Sequence, residues 1–380
     1  MKKQLRMDCK YYIGEKPCVF GNDCPSCLSY YPIQKRILII KLAALGDVLR
    51  TTAILKGLRK RYPASEIVWI TRPNAQPLLK LVAGVDKVYS LSEESILTLS
   101  TERFDFVYNF DKEEVALSLA VQVSAGRKFG FSKNLFGRLD IFNSSSQYAQ
   151  RLGVDDQLKF HNNTKSYVEI IYEMAELPYY GEKYDLTVPH KNLFTIQRLL
   201  EKHNVFENDF VVGINTGAGD KFQTKLYSPH AMVELCKIIL EKTSAKVLLI
   251  GGEKEERYNQ QLARQIASQR VVAPPSLAIP DFCALVQRCN ILVSADSFAM
   301  HVGVAVGTYV VAFFGPTVAS EVSFFGKGEK IIATAPCAPC YLQKCKWPVS
   351  CIQAIPPQRI WQAVEKGMGE PTLRKSKSQR

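Results

Sequence analysis

At 380 residues, 47% hydrophobic and 22% charged, with no long low-complexity tract, the chain is globular and long enough for two domains; this excludes a disordered or fibrous protein. Its net charge of +13 favours an anionic partner, for which nucleotides, phosphorylated glycans, anionic lipid and nucleic acid all qualify. Met1 to Lys10 is polar and lacks a signal-peptide core, and the longest apolar stretch, Ile291 to Gly315, is broken by glycines, Asp296 and His301. A cytoplasmic protein is therefore expected, with peripheral contact at the inner membrane face.

In chain order, residues 1–35 form a cysteine-bearing extension. Residues 36–190 alternate strand and helix patterns, with strands at Ile37–Lys41, Ile67–Thr71, Val88–Leu91 and Phe104–Phe110 and helical runs near 48–61, 75–83 and 113–124. Such alternation implies βαβ units around a mainly parallel sheet. The run Ile37 to Ile40 reads as a buried parallel strand that breaks at a loop holding Gly46, and Asp47 sits where the next helix begins. There it either caps the helix or presents a carboxylate at the carboxyl end of the strand.

After a polar, partly helical connection around Pro189 to Asn208, the alternation starts afresh over 205–335. Strands are expected at Phe210–Asn215, Lys246–Gly251, Ile291–Ala295 and Tyr309–Phe314, and helices near 229–242, 254–268, 281–288 and 298–305. Two Rossmann-like domains facing one another across a cleft is the economical α/β architecture. A cysteine-rich segment with a final helix (336–370) and a basic tail (371–380), expected to be disordered, close the chain.

Three features of the second half suit a nucleotide. Asn215-Thr216-Gly217-Ala218-Gly219 follows a strand, and its small residues let backbone N–H groups face an anion. Lys225 can set its charge against a diphosphate, beside Ser228-Pro229, a good helix start. In Ser294-Ala295-Asp296-Ser297, followed by His301, a strand ends in a polar pair at a helix N-terminus; N–H groups and Ser297 suit phosphate oxygens, and Asp296 suits hydroxyls. The bland alternatives are a turn, a solvated lysine, and a cap with a packed histidine.

Together and in this order, these pieces resemble the heptosyltransferase family of glycosyltransferases, of the lipopolysaccharide inner-core type. The matching motifs are Ile37 to Thr51, Arg61 to Ile70, Gly213 to Ala218 with Lys225, and Leu249-Ile-Gly-Gly-Glu-Lys-Glu-Glu. Asp296-Ser-x-x-Met-His, Gly307-Thr and Phe314-Gly-Pro-Thr317 complete the set, which spans about 36–320. The resemblance implies a GT-B fold with the acceptor on the N-terminal domain and the nucleotide-sugar on the C-terminal one. It also implies inverting transfer of heptose from ADP-L-glycero-β-D-manno-heptose without a catalytic metal. By the same resemblance, Asp47 is the general base and Lys225 neutralises the departing ADP. Thr216, Gly217 and Ala218 form the phosphate-side loop, Asp296, Ser297 and His301 the donor-binding turn, and Glu255 or Glu256 holds the ribose. Those roles suit the chemistry: an oxocarbenium-like state needs one carboxylate for the nucleophile and preorganised positive charge for the leaving group. Phe298 departs from the family pattern, which has glycine after the Asp-Ser/Thr pair, and this bears on the choice of sugar.

Of the eleven cysteines, eight fall into two groups, Cys9-x8-Cys18-x5-Cys24-x2-Cys27 and Cys337-x2-Cys340-x4-Cys345-x5-Cys351. Each holds four thiols, enough for a structural zinc, an iron or an iron–sulfur cluster; free thiols and disulfides are the alternatives. In a GT-B fold the last helix commonly crosses back to the first domain, which could bring the groups together. Cys236, Cys283 and Cys289 read as core residues. The partners expected are a nucleotide-sugar donor and an anionic glycan or lipid-linked acceptor. Two other readings remain: an autotransporter-type protein heptosyltransferase, and a metal-stabilised, non-catalytic nucleic-acid-binding protein. The second leaves the strand-end motifs unexplained, and its basic residues lack the interleaved aromatics of a nucleic-acid surface.

Overall fold

The computed structural model describes residues 5–21, 24–219 and 222–370, so the basic tail lies outside the described residues. The chain forms two compact units, one from Met1–Val154 with Val168–Glu182, the other from Asp155–Tyr167 with Lys183–Arg380. The division falls before the connection expected to be the linker. The helix in that connection belongs to the second unit, where Asn192 donates to Asp281 at 2.7 Å.

The first unit runs β1 (Lys35–Ile40), α1 (Leu45–Thr51), α2 (Ile54–Arg61), β2 (Ser65–Thr71), α3 (Gln76–Leu79), β3 (Lys87–Ser90), α4 (Glu93–Thr101), β4 (Arg103–Asn109), α5 (Glu114–Gln122), β5 (Ser124–Lys133), β6 (Leu139–Ile141), α6 (Gln147–Arg151) and α7 (Tyr167–Met174). Its sheet has the order β3-β2-β1-β4-β5-β6, parallel except for the antiparallel β5–β6 pair. Ile37 to Ile40 are wholly buried, as a central strand covered on both faces requires. The single helical run expected over 48–61 is two helices. The Thr51 and Thr52 hydroxyls donate back to the Asp47 and Leu49 carbonyls, both at 2.6 Å, the kind of back-bonding that bends a helix. At Gly130, φ is +89° and a Cβ would come within 2.1 Å of the Asn109 carbonyl oxygen, so only glycine lets β5 lie beside the end of β4.

The second unit runs α8 (His190–Glu201), β7 (Val211–Asn215), α9 (Pro229–Lys242), β8 (Lys246–Ile250), α10 (Glu256–Ile266), β9 (Val271–Val272), α11 (Ile279–Arg288), β10 (Ile291–Ala295), α12 (Phe298–Val306), β11 (Tyr309–Phe314), β12 (Gly328–Ile332) and α13 (Pro357–Met368). Its sheet is wholly parallel, in the order β12-β11-β10-β7-β8-β9. Counted from its own first strand, this is the wiring of the first sheet repeated. Ser228 caps α9, accepting from Ala231 N at 3.1 Å, with Pro229 at the first helical position. The closing helix α13 packs Ile360, Trp361 and Val364 into the core of this second unit. Among the described residues, no helix is long and apolar enough to cross a membrane.

Candidate active site

In a doubly wound sheet the ligand crevice lies beyond the carboxyl ends of the two strands where the order reverses. In the first unit these strands are β1 and β4. Past β1, the chain turns through Leu42–Ala44, and Asp47 is the third residue of α1. One carboxylate oxygen pairs with Arg50 at 2.8 Å and the other accepts from Ala44 N at 3.4 Å. The Asp47 side chain stays 36% exposed while Arg50 is 14% exposed, so the cation orients a carboxylate that solvent can reach. Asp111, just past β4, braces this turn: its carboxylate accepts from Leu42 N at 2.8 Å and from Glu113 N at 3.0 Å, and lies 3.5 Å from the buried Lys41 ammonium. Sequence reasoning missed Arg50, Asp111 and Lys41.

In the second unit the reversal lies between β7 and β10. Asn215, the last residue of β7, donates to the Gly217 carbonyl at 2.5 Å and to the Ser294 and Ser297 hydroxyls at 3.2 Å, tying the loop after β7 to the end of β10. Thr216 is buried, and its hydroxyl donates to Asn259 at 2.6 Å, so it pins the loop to α10. Ala218 is half-buried in the loop. The Ser297 hydroxyl joins Ser294 at 2.9 Å and makes no side-chain cap on α12. The first N–H groups of α12 thus form a positive helix end beside the loop, a fit for phosphate oxygens.

Lys225 lies on a short 3-10 turn (Gln223–Lys225) and is not a solvated surface residue. Its ammonium donates to the Asp296 carboxylate at 2.8 Å and to the Asp296 carbonyl at 3.0 Å, with the two side chains 11% and 17% exposed. Thr317 donates to the same carboxylate at 2.7 Å, and His301 Nε2 lies 4.0 Å from its other oxygen. Burial pushes the Asp296 carboxyl up, but the Lys225 and His301 charges and the Lys225 and Thr317 hydrogen bonds outweigh it and hold it below its ordinary value. A carboxylate held low stabilises the fold above about pH 4, and that contribution is lost as the pH falls through its lowered value.

The two glutamates separate. Glu255 accepts from Gly252 N at 2.8 Å and its carboxylate lies against Gly217, where a Cβ would come within 2.7 Å of Cδ. Glu256 instead accepts from Ser276 N at 3.0 Å. Gly217→Ala is therefore expected to fold with little loss of melting temperature, because the atoms met are the flexible end of a side chain. It should weaken nucleotide binding about tenfold, ~1.4 kcal/mol, by displacing Glu255; calorimetry giving parental affinity would detach Gly217 from the nucleotide.

Phe298, the first residue of α12, stacks on Phe282 of α11 at 6.0 Å between centroids. The cysteine-rich segment flanks the ion pair from its other side. Cys340 N and Tyr341 N donate to Pro316 O at 3.2 and 2.8 Å, one residue before Thr317, while Thr224 donates to Leu342 O at 2.8 Å, one residue before Lys225. The Phe222 ring packs edge-on to Tyr341 and carries the Lys225 ammonium 5.1 Å from its centroid. Neither Thr224 nor Tyr341 stands in a recognisable motif, and only the folded chain brings them to the site.

None of the eight grouped cysteines is in a disulfide, and among the described residues no three His, Cys, Asp or Glu side chains stand together in ligating geometry. Cys9, Cys18, Cys24 and Cys27 belong to the first unit and Cys337, Cys340, Cys345 and Cys351 to the second. The last helix, α13, packs on the second sheet. Burial and then the Cys340, Cys337 and Cys345 thiols push Cys351 up. Cys236, Cys283 and Cys289 are core residues whose thiols burial pushes up to about 12.

Comparison with known proteins matches residues 96–349 to the sequence profile described as glycosyltransferase family 9 (heptosyltransferase). A lipopolysaccharide heptosyltransferase 1 of Campylobacter coli is 22% identical over 315 residues, covering 79% of this chain and 89% of the relative. Among solved structures, a family 9 glycosyl transferase from Veillonella parvula superposes with TM-score 0.70 at 19% identity, covering 88% of this chain and 98% of that one. The Escherichia coli ADP-heptose lps heptosyltransferase II gives TM-score 0.63 at 16% identity, covering 90% and 100%. These likenesses show the GT-B fold class.

Proposed function

The chain belongs to glycosyltransferase family 9, the heptosyltransferases of lipopolysaccharide core biosynthesis, and from that premise we propose that it transfers heptose from ADP-L-glycero-β-D-manno-heptose to a hydroxyl of a lipopolysaccharide-core or related anionic glycan, with inversion. The observation that carries this reading is the buried Lys225–Asp296 pair beside the N-terminus of α12, at the reversal point of the second sheet. A diphosphate leaving from the anomeric carbon gathers negative charge, and a preorganised ammonium with helix N–H groups stabilises that charge as it forms. Asp296 holds the ammonium in place, and Thr317 holds Asp296. On the acceptor half, Asp47, oriented by Arg50, takes the proton from the attacking hydroxyl. Neither role calls on a metal. The net charge of +13 suits a phosphorylated, lipid-linked acceptor met at the cytoplasmic membrane face.

Calorimetric titration of the purified chain with ADP, UDP, GDP and their sugars tests the donor. ADP-selective binding that Asp296→Ala removes supports the reading, and binding of none of them overturns it. With the Phe298 ring lodged on Phe282, Phe298→Ala is expected to change ADP-heptose affinity by less than about threefold. A shift beyond tenfold would instead make that ring a wall of the sugar pocket.

A further inference from the structure

The extension before β1 is ordered without a core. Among its described residues from Leu5 to Gln34 none is fully buried, and Met7, Ile13, Val19 and Leu28 are each more than half exposed. Its regular structure amounts to one 3-10 turn (Cys24–Ser26) and an antiparallel bridge of Cys9 with Pro32. A segment this short and this open is normally held by a covalent or metal staple rather than by apolar burial.

The four cysteines supply the parts of one. Each opens a tight turn whose first carbonyl is bonded: Cys9 O accepts from Tyr12 N and Cys18 O from Gly21 N, both at 2.9 Å, and Cys24 O accepts from Cys27 N and Cys27 O from Tyr30 N, both at 3.4 Å. All four side chains line one cavity of about 30 Å³, walled by Tyr11, Tyr12, Phe20 and Tyr30. A cavity of that size has room for a single ion. Arg6 also lines the cavity, donating to Pro25 O at 3.2 Å with its guanidinium 4.0 Å from the Tyr30 ring centroid.

We propose that Cys9, Cys18, Cys24 and Cys27 bind one zinc ion as a tetrathiolate that staples the extension into a single ordered fold. Binding forms four Zn–S bonds and releases four thiol protons; the site then carries two negative charges, which Arg6 offsets in part. Binding draws together four sulfurs that line the cavity without standing in ligating geometry. The staple fixes Lys10, which pairs with Asp86 at 2.6 Å, and Tyr31, whose hydroxyl donates to Pro63 O at 3.0 Å, so the extension is held against the first sheet. This site is independent of the transfer chemistry.

The test is metal analysis of the full chain, expressed with zinc and purified under reducing conditions. Cys24→Ser/Cys27→Ser should carry one zinc equivalent fewer than the parent, and equal content would overturn the proposal. Should that variant fail to fold, iodoacetamide labelling of the parent with peptide mass spectrometry decides. The four extension cysteines should resist labelling until a zinc chelator is added. Immediate labelling without chelator, or protection lifted only by a reductant, would overturn it.

Discussion

Asp47→Ala and Asp47→Asn are both expected to lower the rate of transfer by about 10²–10⁴-fold, the usual contribution of a positioned base, while ADP-heptose affinity stays near that of the parent. The pairing of two variants separates two roles for this carboxylate. If Asp47 served only to hold Arg50 and the turn after β1, the amide would preserve part of that, because its oxygen still accepts from Arg50, although its nitrogen cannot accept from Ala44 N. A base cannot be replaced by an amide, so the asparagine variant should be as inactive as the alanine one. Initial rates with calorimetric donor binding provide the readout; an asparagine variant turning over like the parent would remove Asp47 from proton transfer.

Lys225→Ala is expected to lower kcat/KM by about 10²–10³-fold, the scale of losing one preorganised group aimed at developing charge. It should also destabilise the unliganded chain by about 3 kcal/mol, because it strands the Asp296 carboxylate in a site that burial already makes costly. Lys225→Ala/Asp296→Ala removes both partners and should recover much of the melting temperature without recovering activity. A double variant whose rate returned along with its stability would show the pair to be structural only. Donor affinity unchanged in Lys225→Ala would equally count against contact with the diphosphate.

Legibility from sequence followed burial. The central strands β1, β7, β10 and β11 are covered on both faces and so appear as unbroken apolar runs; β10 and β11 were expected with the bounds they have. The bounds of α9 were equally plain from Ser228-Pro229. By contrast β5 begins Ser-Ala-Gly-Arg-Lys and buries only Phe129 to Ser132, so its pairing with β4 leaves little mark on composition. The short strands β6, β9 and β12 were lost for a related reason, since an edge strand needs few apolar residues. Helix α4 was missed although Ser92 accepts from Ser95 N at 3.2 Å and donates from its own N to Ser95 Oγ at 2.9 Å, a reciprocal cap that a Ser-x-x-Ser spacing hides. At the site, the motifs pointed to Asp47, Lys225, Glu255 and Asp296, which stand at or beside the reversal points. Arg50 and Thr317, which hold Asp47 and Asp296, carry no local signal of that role, and neither does Asn259, which holds Thr216. Asp111 had one: it follows β4 as Asp296 follows β10.

That last correspondence reaches further. Because the two sheets are wired alike, each presents a lysine and an aspartate at the same topological address, Lys41 with Asp111 in the first and Lys225 with Asp296 in the second. In the first, the aspartate bonds the main-chain N–H groups of Leu42 and Glu113; in the second, it accepts from Lys225 and Thr317 side chains. On the proposed reading, one copy of the plan serves as scaffolding and the other as machinery. Equivalent substitutions should therefore diverge, Asp111→Ala appearing as a folding defect alone and Asp296→Ala as a loss of nucleotide recognition in addition to a loss of stability.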